Sequence, residues 1–215
     1  MIELLSVVGL ISLVCGISAP ALRGLSGSGA LDTGTRTLVD VLNAARSEAI
    51  AHHTLVRVVI AKDWTGDASA NLRKVSVWSY NANAERFFQD TPWYALPTGV
   101  LLEPEAPSYL ATASYAVTDG ASVRGDFPLN ADSQADDYLP PTADGTQITS
   151  RYIEYLPTGS ARIAGGAKRN VILVATQGYL NGTEVVHTER TAGQVGNWAQ
   201  INVDTLTGRA RVYRP

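Results

Sequence analysis

Acid–base or metal chemistry in this 215-residue chain would rest on three histidines, one cysteine and twenty acids. His52 and His53 are adjacent, so they cannot share one helical face as a His-x3-His or His-Glu-x2-His pair would. Their position suits neutralising the carbonyls at a helix end. His187 stands alone. Cys15 is the only cysteine, which excludes an intramolecular disulfide and a cysteine-based zinc site. Gly24-Leu25-Ser26-Gly27-Ser28 misses the spacing of a nucleophile elbow. Gly165-Gly166-Ala167-Lys168 lacks the spacing and the following hydroxyl of a phosphate-binding loop. The acidic stretch 130–137 offers oxygen ligands for calcium, but without the order or the downstream glutamate of a calcium loop it reads as a solvated loop. No catalytic residue, metal ligand or cofactor is assigned, and the expectation is a protein that is not an enzyme.

One basic feature remains. Gly208-Arg209-Ala210-Arg211 is followed by Arg214. Strand alternation would put Arg209 and Arg211 on one face, where they could meet phosphates. The plainer reading is an edge strand kept from aggregating by its charges. The formal net charge of −3 gives no global basic field to draw in nucleic acid.

The elements that would position these residues follow from pattern. Leu38, Val41, Leu42, Ala45 and Ala49 recur at helical spacing, with Arg36, Asp40, Asn43 and Arg46 largely elsewhere. The spacing predicts a helix from about Thr35, capped by Thr35 or Asp32, to His52-His53. Residues 24–34 carry four glycines and read as a flexible link. From Leu55 the pattern turns to strands: 55–61, 73–80, a short strand and loop in 81–98, and a strand entered at Leu96-Pro97-Thr98-Gly99-Val100. Prolines and aspartates mark 104–150 as an insertion, with one strand expected near 114–117. Strands resume at 151–156, 161–163, 170–176, 184–187 and 199–203, and a turn at Asp204–Gly208 leads into 209–213.

Ahead of all this lies an almost wholly apolar run from Ile2 to Leu22, broken only by Glu3 at its start and Pro20 near its end. As a helix its ~21 residues would span about 30 Å, the thickness of a bilayer core. A secretory signal peptide would carry a basic start, which is missing. A plain membrane anchor leaves Glu3 unexplained, because a carboxylate in lipid costs roughly 2–3 kcal/mol or more. A bundle of like helices would give that acid a partner.

Ile2-Glu3-Leu4-Leu5-Ser6-Val7-Val8-Gly9-Leu10-Ile11, with Pro20-Ala21-Leu22, resembles the N-terminal segment of type IV pilins and type II secretion pseudopilins. Met1 falls where that family has its third mature residue, so the family's cleavage glycine and the aromatic after it are not in this sequence. The resemblance then implies that the start is truncated or mis-called, or that this chain is not processed like its relatives. Leu42-Asn43-Ala44-Ala45-Arg46-Ser47-Glu48-Ala49-Ile50, followed by Val56-Arg57-Val58, is similar to the segment closing the long helix in the GspH/FimT group of minor pseudopilins and minor pilins. Leu96-Pro97-Thr98-Gly99-Val100 and the Thr-Gly turn before a basic last strand are similar to that group too.

The resemblance implies an α+β fold: a long N-terminal hydrophobic helix, then a globular domain of antiparallel sheets. Residues 1–23 would be the transmembrane and filament-core helix, 24–34 the link, and 35–215 the extracytoplasmic domain. It implies assembly through Glu3 and Pro20, with Leu4, Leu5, Val7, Val8, Leu10 and Ile11 as the packing surface. Glu3 would pair with a neighbour's N-terminal amine. The implied partners are other pilin or pseudopilin subunits, prepilin peptidase where a leader exists upstream, and the bacterial inner membrane, crossed once with the domain in the periplasm. The implied function is a minor pseudopilin or pilin-like structural subunit of a secretion pseudopilus or a pilus. Two alternatives stand beside it: a FimT-like minor pilin holding DNA through Arg209, Arg211 and Arg214, and a membrane-anchored periplasmic binding domain or enzyme.

Overall fold

A helix that buries one stripe against sheets needs small or branched apolar residues at three- and four-residue spacing, and residues 29–52 supply them. A computed structural model describes residues 29–104, 107, 118–119, 122–123, 137–139, 148–163, 170–182, 184–188, 190–191, 194–195 and 197–214. Helix α1 runs 29–52. Leu31, Thr35, Leu38, Val41, Leu42, Ala45 and Ala49 are buried, and Arg36, Asp40, Asn43 and Ser47 face solvent.

The strands are β1 Val56–Trp64, β2 Lys74–Asn81, β3 Arg86–Gln89, β4 Tyr94–Ala95, β5 Val100–Leu102, β6 Thr118–Asp119, β7 Ser122–Val123 and β8 Asp137–Leu139. They continue as β9 Ile148–Tyr155, β10 Ala161–Arg162, β11 Asn170–Asn181, β12 Glu184–His187, β13 Arg190–Thr191, β14 Gln194–Val195, β15 Trp198–Asp204 and β16 Ala210–Tyr213. The first sheet has the order β10-β9-β1-β2-β3, with β4 added on β2 and β8 on β9. The second has the order β12-β11-β15-β16, with β5 added on β11. All these pairings are antiparallel. Val58 lies opposite Val77 on one side and Ile153 on the other. Leu173 lies opposite Ile201. These inner-face residues and the stripe of α1 form one continuous core.

Two expectations are corrected here. The expected fold class, a long hydrophobic helix followed by a domain, gives way to a mostly β architecture of two antiparallel sheets with one amphipathic helix of 24 residues. The outer face of α1 carries charge, and its apolar stripe is consumed by the sheets. No helix among the described residues is long and apolar enough to cross a membrane, which overturns the transmembrane reading and the single-pass inner-membrane placement. The run 2–22 lies outside the described residues, as do Cys15, the expected strand at 114–117 and most of the acidic stretch 130–137.

The helix also starts at least six residues before the predicted Thr35. A side chain at Gly34 would place its Cβ 3.1 Å from Pro97 Cδ and 3.2 Å from Val100 Cγ1, so this glycine serves close packing. Thr33, Thr35 and Thr37 donate their hydroxyls to the carbonyls of Gly29, Leu31 and Thr33, four residues back. That keeps these polar side chains satisfied within the helix. At the other end His53 takes φ 50°, a left-handed turn that ends the helix, and the Thr54 amide closes it on the Ala49 carbonyl.

Candidate functional site

Two tight turns, one from each sheet, meet α1 at Arg46. The β9–β10 turn is closed by the Gly159 amide on the Leu156 carbonyl. The β15–β16 turn is organised by Asp204, whose Oδ1 accepts from the Leu206 and Thr207 amides and the Thr207 hydroxyl. The Ala161 amide donates to the Thr205 carbonyl, tying the second sheet's turn to β10 of the first. Arg46 Nε donates to the Thr207 carbonyl at 2.6 Å. Gly208 packs so closely on the other turn that a Cβ there would lie 2.0 Å from the Gly159 carbonyl oxygen. Beneath lies Tyr155, fully buried. Burial pushes its phenol well above the usual tyrosine range, with the Arg46 charge acting weakly the other way.

The basic strand leaves this junction. Arg211 lies opposite Asn202, and alternation puts Arg209 on its side of the sheet. Both are exposed. Neither forms an ion pair among the described residues. Arg214 is separated from them: its Nη2 donates to Asp32 Oδ1 at 2.5 Å, and Arg36 Nε pairs with the same carboxylate at 2.9 Å. The Arg214 hydrogen bond, with the Arg36 charge adding to it, outweighs desolvation and holds the Asp32 carboxyl below the usual range. The structure thus leaves Arg209 and Arg211 exposed at the last strand and places Arg214 in a clamp between that strand and the start of α1. Glu3, Pro20, Leu4, Leu5, Val7, Val8, Leu10 and Ile11 lie outside the described residues.

Sequence reasoning missed two polar clusters. On the outer face of the first sheet the Arg57 guanidinium sits between the Phe87 and Tyr152 rings, 3.8 and 3.9 Å from their centroids. Glu154 receives Arg57 Nε at 2.9 Å and Arg162 Nε at 2.7 Å. The second is His187 Nε2 against Glu103 Oε1 at 2.6 Å, the acid buried and the imidazole partly so, bolting the end of β12 to the residue after β5. Only tertiary pairing brings these partners together, so no local motif announces them. His52 pairs with Glu48 one turn back at 3.2 Å. No group of three His, Cys, Asp or Glu that could hold a metal occurs among the described residues.

Compared with family models, with curated proteins and with solved structures, the chain finds no match.

Proposed function

We propose that this chain is a minor pseudopilin or pilin-like structural subunit, working in a type II secretion pseudopilus or a type IV pilus. The reading is supported by the resemblance of residues 2–11, 20–22 and 42–50. The observation that carries it is the contact between Arg46 and the Thr207 carbonyl at 2.6 Å. It joins the Ala45-Arg46-Ser47-Glu48-Ala49 segment to the turn ahead of Arg209-Ala210-Arg211, two stretches that resemble the same group and stand 161 residues apart. In this reading other subunits pack on the apolar N-terminal run, and Glu3 meets a neighbour's terminal amine.

The test is Glu3→Ala in the intact chain, read as the share cross-linked to other filament subunits in cells. Truncating one partner of a buried charge pair costs about 2–5 kcal/mol. The cross-linked share is therefore expected to fall at least about tenfold, a factor that takes about 1.4 kcal/mol. Incorporation at the unmodified level would sink the reading.

A second reading is favoured by one observation: Arg211 on the edge strand β16 and Arg209 just ahead of it are exposed and form no ion pair among the described residues. If the pair grips a nucleic acid backbone, Arg209→Ala with Arg211→Ala lowers the slope of log affinity against log salt by about 2 for duplex DNA. An unchanged slope and affinity would remove this reading.

A further inference from the structure

A cleft of about 530 Å³ opens between the 3-10 turn at Ala68–Ala70, the Thr98-Gly99 corner and the β11–β12 hairpin. That is within the usual range for small-ligand sites. Leu101 and Leu180 contribute its apolar wall, and Tyr179 stands at it 55% exposed. Arg73 supplies its cation.

The state of Arg73 is what calls for a ligand. Its Nη1 and Nη2 donate to the carbonyls of Ser69 at 3.3 Å and Leu96 at 3.0 Å, both neutral acceptors. Its Nε is buried with no partner. No carboxylate among the described residues pairs with it: the nearby Asp67 is taken by Ser69 and by Lys74 at 3.5 Å. A half-buried guanidinium held in place by two carbonyls and lacking a counter-ion is a fixed positive charge in a cleft. The walls are preformed. The Gly178 amide donates to the Gly99 carbonyl, and the His187–Glu103 contact pins the hairpin that carries Tyr179 and Leu180.

We propose that this cleft binds the C-terminal carboxylate of a short apolar peptide segment, with Arg73 meeting the carboxylate and Leu101, Leu180 and Tyr179 flanking the side chains. One guanidinium matches one monoanion, whereas a phosphate dianion would call for further donors. The apolar wall requires a ligand with a hydrophobic body. The proposal is independent of the filament reading.

The experiment titrates the full chain with a fluorescent acetylated Ala-Leu-Ala peptide as the free acid and as its C-terminal amide. The free acid is expected to bind about tenfold or more tighter, the ratio that loss of one charge-assisted hydrogen bond gives. Arg73→Gln should erase that preference. Tyr179→Ala, at an exposed position that leaves the fold intact, should weaken the acid severalfold. Equal binding of acid and amide, no binding of either at millimolar concentration, or Tyr179→Ala and Arg73→Gln variants that bind like the parent would overturn it. Displacement of the peptide by inorganic phosphate as effectively as by unlabelled acid would also overturn it, by revealing a general anion site.

Discussion

Gly208→Ala is expected to destabilise the fold by about 3–4 kcal/mol, combining backbone strain with overpacking. Gly208 takes φ +65°, which an L side chain tolerates poorly, and its Cβ would lie 2.0 Å from the Gly159 carbonyl oxygen. That oxygen belongs to a closed turn and cannot swing aside. Relief would require the two turns to separate, pulling the Ala161 amide from the Thr205 carbonyl and Thr207 from Arg46. In a domain of this size the melting temperature should fall by about 10 °C. Gly159→Ala is the control. Its φ of +81° carries similar strain, but its Cβ would meet Ile50 Cδ1 at 2.7 Å, the far end of a side chain on the exposed edge of α1. Ile50 can rotate, so the loss should be about 1–2 kcal/mol. Equal losses in thermal melts of the two variants would mean that the close approach of the turns carries none of the cost.

That junction was half visible in the sequence. The Asp204–Gly208 turn was legible because aspartate, threonine and glycine each have a local reason to sit in a turn. The helix segment around Arg46 was legible through its periodicity. That the two touch was not, because nothing within either segment encodes a partner 161 residues away. Arg214 shows the same limit. Alternation places Arg211 on β16 with Arg209 just ahead of it, but the Asp32 that claims Arg214 lies 182 residues earlier.

The strands were read best where one side is wet or where branched residues run together. β11 runs five residues past the predicted Thr176, because its second half, with Gly178 pressed on Val186, pairs with β12 instead of β15. The helix start was misread because glycine and threonine usually interrupt helices. Here Gly34 makes room for Pro97 and Val100, a packing fact with no local signature. β9 inverts its pattern: Arg151 lies opposite Ile60 on the side of Val58 and Ile153, 2% exposed, whereas Tyr152 is on the outer face. Simple alternation of polar and apolar residues would have turned that strand over.

The outer face of the same strand carries the second large effect. Glu154→Ala is expected to cost about 2–4 kcal/mol, between the values for an exposed and a fully buried ion pair. Its side chain is 5% exposed and receives both Arg57 and Arg162. Arg57 is held between the Phe87 and Tyr152 rings, so it cannot follow its charge out to water when the carboxylate is removed. Arg162 is half exposed and can rehydrate, so its loss should be small. The order of effects in chemical denaturation is therefore Glu154→Ala above Arg57→Ala, and Arg162→Ala least. The test of cause is the double variant Arg57→Met with Glu154→Met. Apolar side chains of similar length on this aromatic face should recover most of the stability lost in Glu154→Ala, because the penalty comes from stranding a desolvated charge and not from losing an attraction. A double variant less stable than Glu154→Ala would show the reverse: the ion pair and its aromatic sandwich hold β1, β3, β9 and β10 together by net attraction.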